Sequence, residues 1–103
     1  MLKDKEKKIP TDIEVKRKAI KLVTAHLKKK AATDFIGSEH VAEWISDMEK
    51  LLEKTEFNLL EYIEMRKRLN SVIEEILEEE MRFKLRDSWY SLGKAIDKKV
   101  KIK

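Results

Sequence analysis

The chain is almost free of residues that interrupt an α-helix. Its 103 residues include only two glycines and one proline. From Thr11 onward it is dominated by Leu, Glu, Lys, Met and Ala, which favour helices. Its apolar residues recur every three or four positions, as they do along the buried face of an amphipathic helix. These features predict an all-α fold, a small antiparallel bundle of three to four helices.

The chain is long enough for one domain with a modest core. Residues 1–10 are polar and rich in lysine, which predicts a flexible basic arm, and residues 11–103 are predicted to form a single helical domain. The absence of cysteine excludes disulfides and cysteine-based zinc sites. No apolar run is long enough to cross a membrane and no signal peptide is evident, so a cytoplasmic protein is expected. The lack of glutamine and the abundance of Lys and Glu are typical of hyperthermophile proteins.

Three helix starts are marked by capping residues. Thr11 and Glu14 have the spacing of a capping box, which predicts a first helix from about Asp12 to about residue 32. Ser38 is the predicted N-cap of a second helix, and Asn58 that of a third. Phe35 and Ile36, between the first two helices, are predicted to fold back onto the core.

Two alternatives remain open for residues 58–100. The apolar stripe of the third helix and the next stripe along the chain are centred roughly 160° apart on a common helical wheel. The chain could break between about Glu80 and Asp87, with Asp87 or Ser88 capping a fourth helix. Otherwise one long C-terminal helix packs on two partners, most simply through dimerisation.

The strongest apolar stripes predict the core. Its central residues are Trp44, Met48, Leu69, Ile73, Trp89 and Leu92. The first helix should bury a broad side with Ile13, Ala19, Ile20, Leu22, Val23 and Leu27, and the third helix a face that extends to Leu77.

Charges of opposite sign are sorted into blocks along the sequence. Residues 1–32 carry a net charge of +7, residues 33–80 a net charge of −9 and residues 81–103 a net charge of +6. The acidic middle could lie beside the basic segments and neutralise them. Alternatively, the two basic segments could come together and form one positive surface, suited to phosphate backbones or to an acidic protein.

The second alternative predicts a non-enzymatic binding or assembly module. Its contact surface would come from the first helix and the C-terminal segment: Arg17, Lys18, Lys21, Lys28, Lys29, Arg86, Tyr90, Lys94, Lys98 and Lys101. Aromatic side chains among lysines are typical of surfaces that stack bases and contact the backbone, so the expected partner is nucleic acid, DNA or RNA, bound without sequence specificity. The alternative function is protein–protein interaction or a self-assembling helical subunit of a larger complex, with an acidic protein or further copies of the chain as partner. A homo-oligomer is expected, and membrane binding is not.

Enzymatic chemistry has little support. His26 and His40 lack the Glu-x-x-His spacing of di-iron bundles, so no metal site and no cofactor are predicted. The segment Glu74-Glu75-Ile76-Leu77-Glu78 resembles the EExxE half of the all-α MazG-type and dUTPase-type nucleotide pyrophosphohydrolases. That resemblance implies carboxylates on one helical face that hold Mg²⁺. The second, ExxD half is missing, because lysines occupy the matching positions, Lys84 and Lys94. A Mg²⁺-dependent hydrolase is therefore the third hypothesis.

Overall fold

The computed structural model describes residues 11–100, which form four α-helices. Their bounds are Asp12–Lys30 for α1, Ser38–Glu53 for α2, Leu59–Glu74 for α3 and Glu79–Asp97 for α4. Each helix packs against the next, and α4 packs extensively along α1, which closes the bundle. The predicted all-α bundle is confirmed. The predicted basic arm, residues 1–10, lies outside the described residues.

The first and last helices run antiparallel. At one end the backbone N–H of Val100 donates to Asp12 Oδ1 over 2.7 Å, and at the other Lys30 Nζ donates to the Lys84 carbonyl over 3.3 Å. The chain therefore enters and leaves the described bundle at the same end.

Two of the predicted caps form as expected. The backbone N–H of Glu14 donates to Thr11 Oγ1 over 3.1 Å, and the backbone N–H of Thr11 donates to Glu14 Oε1 over 2.9 Å, which completes the capping box. Asn58 Oδ1 accepts a hydrogen bond of 3.0 Å from the backbone N–H of Leu60. Each cap satisfies a backbone donor that the first helical turn leaves unpaired.

The predicted cap of α2 is wrong by one residue. Gly37 is the N-cap, with a φ of +95°, and Ser38 is the first helical residue. Glycine adopts this left-handed conformation readily because it has no Cβ. A Cβ at Gly37 would also lie 3.1 Å from Ile76 Cδ1, so the tight turn brings the α1–α2 connection against the α3–α4 connection.

The predicted position of the last break is also wrong, although a break exists. The chain leaves α3 after Glu74 and starts α4 at Glu79, so Asp87 and Ser88 lie in the middle of α4 and cap nothing. The earlier break adds two turns to α4, and those turns bury Met81 and Leu85. The burial of apolar surface, rather than a helix-breaking residue, therefore sets the break. The single long C-terminal helix is excluded.

The core contains most of the predicted residues. Trp44, Met48, Leu69, Ile73 and Leu92 are at most 1% exposed. Trp89 is only half-buried, at the edge of the α3–α4 contact.

Several predicted core residues lie on the surface instead. Ile36 is 73% exposed and Leu77 is 75% exposed, because both lie in connections whose other apolar residues, Phe35 and Ile76, fill the space beneath them. Ile13 and Leu22 are also exposed, because the buried face of α1 is narrower than the apolar pattern indicates.

Candidate nucleic-acid interface

The described part of the chain is electrically neutral, with 18 basic and 18 acidic residues between residues 11 and 100. The charges are separated by helix. The first helix carries seven basic and two acidic residues, whereas α2 carries one basic and five acidic residues. Any positive surface must therefore come from the placement of charges, not from their total.

On the flank of α1 that faces α2, basic side chains contact a glutamate of α2 and the backbone at its C-terminal end. Lys28 Nζ lies 3.2 Å from Glu49 Oε2. Arg17 Nη1 donates to the Lys54 carbonyl over 2.9 Å, and Arg17 Nη2 donates to the Thr55 carbonyl over 3.2 Å. Lys54 is the C-cap of α2 and Thr55 follows it, so Arg17 binds the backbone at the C-terminal end of this helix. On this flank one lysine of the first helix pairs with a glutamate from the acidic middle of the chain.

The opposite flank of α1 forms a basic groove with α4, of about 280 Å³. Its basic residues are Lys30, Lys94, Lys98 and His26. The remaining lining residues are Ala19, Leu22, Val23, Ser88, Ser91 and Ala95. No carboxylate occurs among these lining residues, so the groove concentrates positive charge over an apolar floor.

Lysines hold the two helices of this groove together. Lys30 Nζ donates to Ser88 Oγ over 3.2 Å, which gives the buried serine a partner. At the other end, Lys16 Nζ donates to the Lys98 carbonyl over 2.6 Å. Among the described residues, no carboxylate pairs with Lys94 or with Lys98. These two side chains therefore keep their charge available to solvent.

A second concavity, of about 550 Å³, continues the groove past Lys30. It is lined by Lys29, Lys30, Thr33, Phe83, Lys84 and Asp87. Lys30 Nζ lies 3.8 Å from Asp87 Oδ2, and the Asp87 side chain is 79% exposed. The basic character is therefore weaker here than in the α1–α4 groove.

Two aromatic side chains lie on the outward face of α4. Phe83 is 65% exposed and Tyr90 is 56% exposed. Seven residues separate them, so they share one helical face about 10 Å apart. The Tyr90 ring also contacts the Trp89 ring edge-on, with centroids 5.2 Å apart.

The structure brings together only part of the predicted contact surface. Lys94 and Lys98 line the α1–α4 groove, and Lys29 borders its continuation. Lys18 is exposed on the outward side of α1, and Arg86 is half-buried on α4.

Three of the predicted residues face α2 instead. Lys21 and Lys28 line a groove between α1 and α2, and Arg17 binds the backbone at the end of α2. Lys101 lies outside the described residues.

Sequence reasoning missed Lys30, Lys84 and Phe83 as members of this surface. Helical periodicity places Lys30 on one flank of α1, but it does not say which neighbouring helix that flank meets. Phe83 precedes Tyr90 by seven residues, or two helical turns, and this spacing in the sequence could have placed both rings on one face.

The acidic segment of the hydrolase resemblance does not lie on one helix. Glu74 ends α3, Glu75 is its C-cap and Glu78 is the N-cap of α4, so the carboxylates do not share a helical face. Within residues 11–100, no group of three or more His, Asp or Glu side chains is arranged to hold a metal ion. His26 and His40 are both exposed, on different helices.

Comparison of the chain with models of protein families, with curated proteins and with solved structures finds no match. Among the helices between residues 11 and 100, none combines the length and the apolar character needed to cross a membrane.

Proposed function

We propose that this protein is a non-enzymatic helical binding module that contacts the phosphate backbone of nucleic acid through the α1–α4 groove. One observation carries the proposal: lysines from two helices far apart in sequence border one groove whose lining residues include no carboxylate. Lysine side chains bind phosphate oxygens and release the counterions condensed on nucleic acid.

The charge of the chain ends supports the same surface. The described residues are neutral, so the net charge of +4 comes from residues 1–10 and 101–103, which contribute +2 each. Both segments join the bundle where Val100 N–H donates to Asp12 Oδ1, at the end of the α1–α4 face that also holds Lys98. Their positive charge favours association of the protein with polyanions.

Binding through this surface would depend little on base sequence. Lysines that contact phosphates fix the position of a protein on nucleic acid but read no bases. The groove offers no row of amide side chains or arginines suited to base edges. The protein would then act in the cytoplasm, as an accessory factor that binds DNA or RNA.

The test is a titration of the full chain against labelled duplex and single-stranded oligonucleotides at salt concentrations between about 50 and 200 mM. The variant with Lys94→Glu and Lys98→Glu should bind at least about tenfold more weakly and show a salt slope smaller by about two. The matched control is Lys50→Glu with Lys67→Glu, because both lysines are exposed, on α2 and α3, and lie outside the lining of the α1–α4 groove.

An acidic protein partner is the alternative occupant of the same groove. In that case no oligonucleotide should bind measurably at about 0.1 M salt, where attraction between distant exposed charges is screened. Absence of salt-sensitive binding, or equal binding by the groove variant and the Lys50→Glu, Lys67→Glu control, would overturn the nucleic-acid proposal.

A further inference from the structure

A groove of about 830 Å³ lies between α1 and α2. Unlike the α1–α4 groove, it is lined by both basic and acidic side chains. Its floor includes Thr24 and Ala25 of α1 and Leu52 of α2. One wall carries the basic residues Lys21, Lys28 and Lys29, and the opposite wall carries the acidic residues Glu49 and Glu53. A uniformly charged partner, such as nucleic acid, would be repelled by one of these walls.

The two walls are in register along the bundle. Lys28 Nζ and Glu49 Oε2 lie 3.2 Å apart, so these residues are at the same height on their antiparallel helices. Their side chains remain 64% and 45% exposed, and both can therefore also contact a molecule placed over the groove.

Small side chains continue the stripe of Glu49 along α2. Ala42 and Ser46 precede Glu49 by seven and three residues, which places them on the same stripe, and both are exposed. Small residues at such positions let the backbone of another helix approach closely.

We infer that this face binds a second copy of the same chain. A twofold axis parallel to the helices would place α1 of one copy over α2 of the other. Rotation about this axis preserves height along the bundle, so Lys28 of each copy would face Glu49 of the other copy. The basic wall then meets an acidic wall twice, and the surface is complementary to itself.

The face is large enough for a weak dimer. At 1.5 Å per residue, α1 and α2 are about 28 Å and 24 Å long, and each helix is about 10 Å wide. Contact along both helices would bury roughly 500 Å² per copy, or about 1,000 Å² in total, at the lower end for specific interfaces. The dimer should therefore depend on concentration and on salt.

Sedimentation equilibrium of the full chain, without nucleic acid, tests this inference. The wild type should shift from monomer to dimer over a roughly hundredfold range of concentration. A basic-wall variant, with Lys21, Lys28 and Lys29 all changed to Glu, leaves only acidic charges along the groove and should be monomeric. An acid-wall variant, Glu49→Lys with Glu53→Lys, leaves it entirely basic and should be monomeric too.

Mixing the two variants provides the decisive measurement. An all-acidic face and an all-basic face should form a heterodimer, although neither variant forms a homodimer. Lys67→Glu and Glu64→Lys are controls, because these residues pair with each other on the exposed face of α3 and should not affect dimerisation. Circular dichroism verifies that each variant is folded.

Three results would overturn the inference: a wild type that stays monomeric throughout, a dimer that resists both wall variants, or a mixture that stays monomeric. Because no nucleic acid is present, none of these results bears on the proposed function of the α1–α4 groove.

Discussion

Arg66 and Trp89 each donate a hydrogen bond to the backbone of the other. Arg66 Nε donates to the Trp89 carbonyl over 3.2 Å, and Trp89 Nε1 donates to the Arg66 carbonyl over 3.1 Å. The guanidinium carbon lies 3.7 Å from the centroid of the indole ring. This pair joins α3 to α4 with two hydrogen bonds and a cation–π contact, and it explains why Trp89 sits at the edge of the core.

The Arg66–Trp89 contact also predicts the response of Gly93 to substitution. Replacing a glycine inside a helix with alanine normally stabilises the protein by about 1 kcal/mol. Here a Cβ at Gly93 would lie 2.5 Å from Arg66 Cζ and would displace the guanidinium. We expect Gly93→Ala to give no stabilisation in urea denaturation. In the background of Arg66→Met the same change should stabilise by about 1 kcal/mol. Equal effects in both backgrounds would contradict this coupling.

Trp44 is the residue whose truncation should be most damaging. It is 1% exposed, and its indole N–H donates to the Met65 carbonyl over 2.8 Å. Trp44→Ala should cost roughly 3–5 kcal/mol, enough to unfold much of a domain this small. Trp44→Phe retains most of the buried surface and should cost less, about 1–3 kcal/mol, because it removes the hydrogen bond to the Met65 carbonyl and part of the indole volume. Far-UV circular dichroism and urea denaturation would measure both; a folded Trp44→Ala of near wild-type stability would contradict the core assignment.

Tyr62 should make stability depend on pH in the alkaline range. Its side chain is buried, its hydroxyl donates to the Leu51 carbonyl over 3.3 Å, and its ring stacks on Phe57. Burial raises the pKa of Tyr62 above 10.0; Arg17 opposes the rise and Glu61 adds to it. The unfolded chain therefore loses this proton first as pH increases, so stability falls above about pH 10.

The Tyr62→Phe variant isolates this contribution. Phenylalanine has no hydroxyl to titrate. The free energy of unfolding of the variant, minus that of the wild type, should therefore rise steadily from about pH 9 to pH 11. Urea denaturation at a series of pH values measures the difference. Parallel pH profiles for the two proteins would show that Tyr62 does not contribute.

Local sequence signals predicted the helices and most of the core because capping and apolar periodicity act within a few residues. Trp44, Leu69 and Ile73 lie on apolar stripes with helical spacing, and all three are buried. The position of the last break was not predictable in this way. No glycine or proline marks Glu75–Glu78, and only the burial of Met81 and Leu85 in the finished bundle favours a helix start at Glu79.

The candidate site was predictable in composition but not in arrangement. Charge counting identified α1 as basic, and helical geometry gives it two flanks. Which flank meets α2 and which meets α4 depends on the order of helices around the bundle. That order directs Arg17 and Lys28 toward α2 and its end, and Lys30 toward α4.

The absence of carboxylates from the lining of the α1–α4 groove is the feature on which the proposed function depends most directly. Ser91 lines this groove and is exposed, so Ser91→Glu would introduce a negative charge without removing any lysine. If phosphates bind there, a carboxylate a few ångströms away should cost about 1 kcal/mol, or roughly fivefold in affinity. Ser91→Lys should have the opposite effect and should steepen the salt dependence by about one counterion.

Ser71→Glu is the matched control for this pair of variants. Ser71 is also an exposed helical serine, but it lies on α3, and its hydroxyl donates only to the Lys67 carbonyl one turn earlier, over 3.5 Å. The change in net charge is the same as in Ser91→Glu, so a difference in affinity between the two variants reports position rather than total charge. Fluorescence anisotropy with one labelled oligonucleotide at about 0.1 M salt should show weaker binding for Ser91→Glu alone. Equal losses for both variants would mean that nucleic acid responds to the overall charge of the protein, and the groove would then not be its binding site.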